Sequence, residues 1–269
     1  MKSSRVVITG VGIICASGLH REDFWSNVTA GQSGIKPLES IDTDELRTNV
    51  AGEIKHYRPE KFFSRRQLRR LDRASQYAVI AAREAVFQAG LDLGRLDPFR
   101  VGVIMGTSLG GMQSGDRFHR QWLTRGLRRA RPSLLLSYPI HTPCDAVAHY
   151  LGLKGPRSVI STACAAGANA LGLARDLLVS GRADIMLAGG VDPLCLLSFC
   201  GFSVLQAACP APCSPYSRSD GLNLGEGAAV LVMEPLERAL ERGVPVLAEF
   251  LGYGLSADAY HPTAPDPGG

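Results

Sequence analysis

The sequence predicts a layered α/β fold, and three observations carry that expectation. Apolar, β-rich runs recur at "RVVITGVG" (5–12), "RVGVIMG" (100–106), "RSVIST" (157–162), "ADIMLAGG" (183–190), "GAAVLVMEP" (227–235) and "VPVLAEFLGYG" (244–254). Several are apolar at consecutive positions, as strands covered on both faces must be. Helical stretches alternate with them, and small-residue turns join the two. The 269 residues are 45% apolar but only 7% aromatic, with 30 glycines, so helices can lie close against a sheet.

The first run carries a short glycine pattern but not a complete G-x-G-x-x-G, and no acidic residue closes a second strand, so a dinucleotide site is not expected. "REDFWSNVTAG" (21–31) reads as a helix, and a longer one is expected over 65–89. Ser64 and Gln67 fit a capping box at its start, and Gly90 fits the position after its end. Leu68, Leu71, Ser75, Ala78, Ala82 and Ala89 fall along one side, with Arg66, Arg69, Arg70 and Arg73 opposite, facing solvent. Positions 58–73 hold seven Lys/Arg against Glu60 and Asp72, a local charge of +5. The whole chain is +4, so the remainder is near neutral, which argues against a nucleic-acid partner. Cations at a helix N-terminus oppose the helix dipole. The patch is therefore either surplus surface charge or a docking surface for an acidic partner.

"MGTSLGG" (105–111) is a glycine-rich turn after a strand, without the lysine of a phosphate loop. "TPCDAVAHYLG" (142–152), "AAGANALGLARDLLVSG" (165–181) and "PLERALERG" (235–243) read as helices. Between the third strand and the helix after it stands "STACAAG" (161–167). A cysteine at a strand-to-helix turn has a helix N-terminus to favour its thiolate and a sharp bend to lift its sulfur towards a ligand. Ala163, Ala165, Ala166 and Gly167 would allow close approach by a substrate. A buried, packed thiol fits the same residues, and local pattern leaves both readings open for Cys164.

The remaining cysteines read as packing; "CPAPC" (209–213) lacks two further soft ligands for zinc. Seven cysteines without framework spacing suit a reducing cytosol, and no signal peptide or membrane span is read. His261, in "SADAYHPTAPDPGG", sits in a proline-rich loop suited to a placed hydrogen-bond donor, though loop histidines are often plain surface. Asp220 and Glu226, in the glycine-dense "SRSDGLNLGEGAAVLVME" (217–234), are expected to order backbone amides around their turns.

Taken together, "VVITGVGIICASG", "RRLDRASQYAVIAAREAV", "GPRSVISTACAAGANALGLARDLLVSGRADIMLAGG", "SDGLNLGEGAAVLVMEPLERALERG" and "GYGLSADAYHPTAPDPGG" resemble, in order, the elongating β-ketoacyl-acyl carrier protein synthases and related polyketide ketosynthases. The resemblance implies a thiolase-like fold of α-β-α-β-α layers, here the first half plus the start of the second. It implies that Cys164 takes the growing acyl group as a thioester, its own amide helping to hold the oxyanion. His261 would correspond to the first of two histidines that bind the malonyl thioester carbonyl during decarboxylation. Leu109 and Phe202 would lie near the acyl pocket. The basic patch becomes a docking site for acyl carrier protein, with Arg65, Arg66, Arg69, Arg70 and Arg73 as candidates. No metal or resident cofactor is implied, since substrates ride on the carrier's phosphopantetheine. The partner set is carrier protein together with a second copy or a C-terminal-half chain, without nucleic acid or membrane.

The sequence also departs from the family pattern. Tyr216 and Ser217 stand where a Phe-Asp pair is usual. The family's lysine motif, second histidine and glycine-rich oxyanion strand do not occur. The expected organisation is therefore an N-terminal ketosynthase half over 1–243 and the beginning of the C-terminal half over 244–269, a chain incomplete by itself.

Overall fold

All six apolar runs enter one mixed sheet in the computed structural model, which describes residues 5–218, 220–261 and 264–268. Its strands are β1 (Val6–Cys15), β4 (Val101–Gly106), β5 (Arg157–Ile160), β6 (Ile185–Asp192), β7 (Gly227–Pro235) and β8 (Ala248–Phe250), in the order β5-β4-β6-β7-β1-β8. A separate two-stranded pair joins β2 (Lys36–Pro37) to β3 (Val50–Ala51). Strand β4 runs parallel to β5 and β6, whereas β7 is antiparallel to β6 and β1, and β8 antiparallel to β1. Nine helices are described: α1 (Arg21–Thr29), α2 (Arg65–Leu68), α3 (Arg73–Gln88), α4 (Met112–Arg125), α5 (Ser133–Leu136), α6 (Thr142–Leu151), α7 (Ala166–Val179), α8 (Leu196–Val204) and α9 (Leu236–Glu241).

Alternation along the strands divides the core in two. Val103, Met105, Ile185, Leu187, Val230 and Val232 point to one face, where the alanines of α3 and the apolar side of α6 cover them. Ile104, Met186, Ala188 and Met233 point to the other, where α7 lies with Ala170, Ala174, Leu177 and Leu178. This gives helix, sheet and helix layers, a thiolase-like arrangement. The described protein exposes 15373 Å², well above the ~11,300 Å² of a compact monomer of this mass. Part of that excess lies on the α7 side, where Leu247, Leu251, Tyr253 and Leu255 are exposed. Among the described residues no helix is long and apolar enough to cross a membrane.

Two expectations change. The single helix expected over 65–89 is two helices, because Asp72 takes extended backbone and caps α3 by accepting from the Ser75 amide at 2.9 Å. The Ser64–Gln67 capping box holds as expected, and Gly90 adopts a left-handed φ of 59° after α3. The last strand is also shorter, three residues within 244–254. Only Val6–Ile8 of β1 offer an edge to it. Beyond the register shift between Ile8 and Gly10, α3 takes over that edge, with Gln88 accepting from Val11 N and Glu84 from Ile13 N.

Candidate active site

The turn that carries Cys164 is built by contacts too close for larger side chains. Gly106, at the end of β4, lies against the first turn of α7: a Cβ there would stand 2.3 Å from the Ala166 carbonyl carbon. The helix start can therefore rest directly on the sheet, with the turn before it projecting from the sheet's end. Asn169 Nδ2 donates to Thr162 Oγ1 at 2.7 Å, and Ala165 N to Thr162 O at 3.2 Å, closing the turn on itself. Within it Ala163 takes a φ of 50°, left-handed backbone that costs a non-glycine residue about 1–2 kcal/mol. Ser161 through Ala165 are exposed, Cys164 among them.

Cys164 lines an open cavity of about 380 Å³. Its walls come from the ends of β1, β6 and β7, including Ile14, Asp192, Glu226 and Ala229. The two wall carboxylates are already engaged. Asp192 accepts from Thr107 Oγ1 at 2.7 Å, Ser108 N at 3.0 Å and Leu109 N at 2.7 Å, tying the glycine-rich turn after β4 to the cavity. Glu226 accepts from Ile54 N at 3.0 Å and Leu194 N at 3.4 Å, the amide-ordering role expected for it. Burial raises its pKa, partly offset by those amides. Asp220, the other carboxylate expected to order amides, lies 3.7 Å from Arg218 Nε.

Cys144 shows the opposite environment. It is buried on α6 and donates to Val103 O and Ser158 O, and burial pushes its thiol up to about 12. Packing, expected for this cysteine, is what the structure gives it.

The other predicted site residues are distributed more widely. His261 is exposed and is not among the residues lining the Cys164 cavity; Pro262 and Thr263, which follow it in the predicted loop, lie outside the described residues. Leu109 and Phe202 are half-buried and do not line the cavity either, though Leu109 is held to it through Asp192. Arg65, Arg66, Arg69 and Arg70 are exposed, as expected. Arg73 is a correction: its guanidinium lies 5.2 Å from the Tyr57 ring centre and 5.8 Å from that of Tyr77, with Nε buried. It faces inward because the helix restarts at Asp72, so it does not belong to the solvent-facing patch. Asp192 was not anticipated; its only sequence signal is an acid directly following the strand's "AGGV". Among the described residues no group of three or more His, Cys, Asp or Glu side chains is placed to hold a metal ion.

Comparison with known proteins adds a family context. Residues 3–239 match the family model described as "Beta-ketoacyl synthase, N-terminal domain". The 3-oxoacyl-[acyl-carrier-protein] synthase 2 of Staphylococcus aureus (strain COL) is 38% identical over 275 residues, covering 100% of this chain and 66% of the relative. A protein of the same name from Synechocystis sp. is 34% identical, covering 100% of this chain and 67% of the relative. Among solved structures, the ishigamide ketosynthase/chain length factor superposes with a TM-score of 0.93 at 36% identity, over 98% of this chain and 66% of that one. A type II polyketide ketosynthase in complex with its acyl-carrier protein superposes with a TM-score of 0.82 at 29% identity, over 97% of this chain and 65% of that one. The chain thus spans about two thirds of the length of the relatives it matches.

Proposed function

Because the chain belongs to the beta-ketoacyl synthase family, we propose that Cys164 accepts an acyl group as the first step of a decarboxylative Claisen condensation in fatty-acid or polyketide synthesis. The observation that carries this is the exposed thiol on a strained turn at the start of α7, opening into a cavity. The Cys164 sulfur attacks the carbonyl of an acyl thioester, and the carrier's phosphopantetheine thiol leaves with the proton. In the second step malonyl-carrier protein loses carbon dioxide, the resulting enolate carbon attacks the Cys164 thioester, and the cysteine sulfur leaves. His261 is the candidate donor to the malonyl carbonyl oxygen, and Leu109 and Phe202 are candidates for contact with the acyl chain.

Donors must converge on one developing negative charge for decarboxylation. No histidine stands among the described residues of the cavity wall. In this reading residues 1–243 form the acyl-accepting half, 244–269 begin the second, and condensation draws its remaining groups from a C-terminal half, on the same polypeptide or on a separate one. Acyl carrier protein, with which one solved relative forms a complex, is the proposed partner, meeting Arg65, Arg66, Arg69 and Arg70, within a homodimer or a heteromer. The exposed arginines Arg65, Arg66, Arg69 and Arg70 favour a second reading, a carrier-binding subunit that performs no chemistry.

Incubation with acyl- and malonyl-carrier protein, followed by intact-mass analysis, separates the two readings. Acyl transfer predicts a mass increase by one acyl group that disappears in Cys164→Ala, without β-ketoacyl product. Carrier binding with no mass increase supports the second reading, and β-ketoacyl product from this chain alone overturns the need for a further half.

A further inference from the structure

The glycine-rich turn after β4 is fastened from two sides, and one of them is a wall of the Cys164 cavity. On the outer side, segment 137–140 presses directly on the turn. A Cβ at Gly111 would stand 1.7 Å from Ser137 O, and one at Gly110 2.8 Å from Ile140 Cα. Gly110 also holds a left-handed φ of 50°, which suits glycine. On the cavity side stands Asp192, whose Oδ1 accepts from Thr107 Oγ1, Ser108 N and Leu109 N. Thr107 is buried, and its hydroxyl in turn accepts from Gly110 N at 2.8 Å. One carboxylate oxygen and one hydroxyl thus hold residues 107–110 together. Leu109, half-buried, is the large apolar side chain of that turn.

No lysine or arginine pairs with Asp192 among the described residues. Its negative charge shares a cavity with the sulfur that must become a thiolate, which electrostatics alone disfavours. The hydrogen bonds to the turn supply the reason for its presence. We propose that Asp192 is a positioning residue for acyl-chain selection, fixing the 107–110 turn so that Leu109 is held ready to contact the alkyl chain on Cys164. The inference rests on the Cys164 reading above and goes beyond it by naming what sets Leu109 in place. A turn ordered before the chain arrives loses little freedom on contact with it. Because segment 137–140 blocks the outer side, a turn released from Asp192 relaxes towards the cavity and crowds a long chain more than a short one.

The test labels Cys164 with methyl and hexyl methanethiosulfonate, mapped by peptide mass spectrometry, with each rate normalised to the same reagent's rate with glutathione. The thiolate attacks the reagent's divalent sulfur and methanesulfinate leaves, so no catalytic machinery is needed. Asp192→Ala should slow hexyl labelling about five- to tenfold and methyl labelling about twofold. Asp192→Asn, which keeps an accepting oxygen, should restore the hexyl rate to within about twofold of natural. In a Leu109→Ala background, Asp192→Ala should change the hexyl rate by less than about twofold, since the side chain it positions is gone. Equal slowing of both reagents, or an undiminished hexyl loss in the Leu109→Ala background, would overturn the assignment. Circular dichroism checks each fold. If Asp192→Ala does not fold, Thr107→Val against Thr107→Ser carries the same test: serine keeps the hexyl rate and valine loses it, and equal rates overturn the proposal. Acylation by hexanoyl N-acetylcysteamine thioester is followed in parallel. Chain-selective labelling without acylation sinks acyl transfer at Cys164 and leaves Asp192 as the anchor of Leu109; acylation without chain selectivity does the reverse.

Discussion

On the face of the sheet under α3 and α6, Val103, Met105, Ile185, Leu187, Val230 and Val232 are sealed, and Gly10 and Gly12 of β1 lie close against the backbone of α3. On the face under α7, Ile104, Met186 and Ala188 are sealed where the helix lies, but Ala229 is exposed and Ile8 and Leu231 half-exposed. Both faces are rich in small residues. On the closed face smallness brings α3 onto β1; on the open face it leaves room beside Cys164. The two cysteines follow the same division, Cys144 held between strand carbonyls and Cys164 in solvent. A small side chain thus has no fixed meaning in this chain until the face it serves is known.

The largest effects expected from breaking this contrast lie on the closed face. Glu234, fully buried, accepts from Thr9 Oγ1 at 2.7 Å and from Arg242 Nε at 3.2 Å, and Arg242 also donates to Ala89 O at the end of α3. Arg242→Met leaves that carboxylate without its cation and should cost about 3–5 kcal/mol, read as a fall in the urea midpoint.

A pair of glycine substitutions should come next and separate the faces. In Gly12→Ala the new methyl would stand 1.9 Å from Ala81 O, a backbone atom that cannot swing aside, and should cost about 3 kcal/mol in thermal melts. Gly167→Ala meets nothing nearer than 3.8 Å on the open face. It should leave stability within about 1 kcal/mol, since alanine favours a helix, while slowing modification of Cys164 by bulky reagents.

The smallest effect concerns pH. Burial raises Glu226 above the ordinary carboxylate range, so the folded state holds its proton more tightly than the unfolded chain. Its contribution is fully present below the ordinary carboxylate pKa of about 4.3 and is lost as pH rises through the raised value. Glu226→Gln removes that loss, so urea midpoints of variant and natural protein, taken along a pH series, should diverge in the variant's favour as pH rises. A constant difference would contradict the assignment.

Much of this organisation was legible in the sequence, for identifiable reasons. The strands were visible because well-covered strands such as β4 and β6 are apolar at consecutive positions, and the Ser64–Gln67 box because capping is local. The break at Asp72 was hidden because the apolar spacing of Leu68, Leu71 and Ser75 runs through it unbroken. The inward turn of Arg73 depends on Tyr57, a loop residue sixteen positions earlier, which no helical periodicity contains. At the site, the small residues marked the Cys164 turn. Asp192 needs the strand order to be found, since it reaches the 107–110 turn only through the pairing of β4 with β6.

The division between the faces is tested most directly by site-resolved alkylation of the native protein with iodoacetamide, mapped by peptide mass spectrometry. Cys164 should be modified at least ~100-fold faster than Cys144, which should react only on unfolding. Comparable rates at the two thiols, or protection of Cys164, would contradict that division.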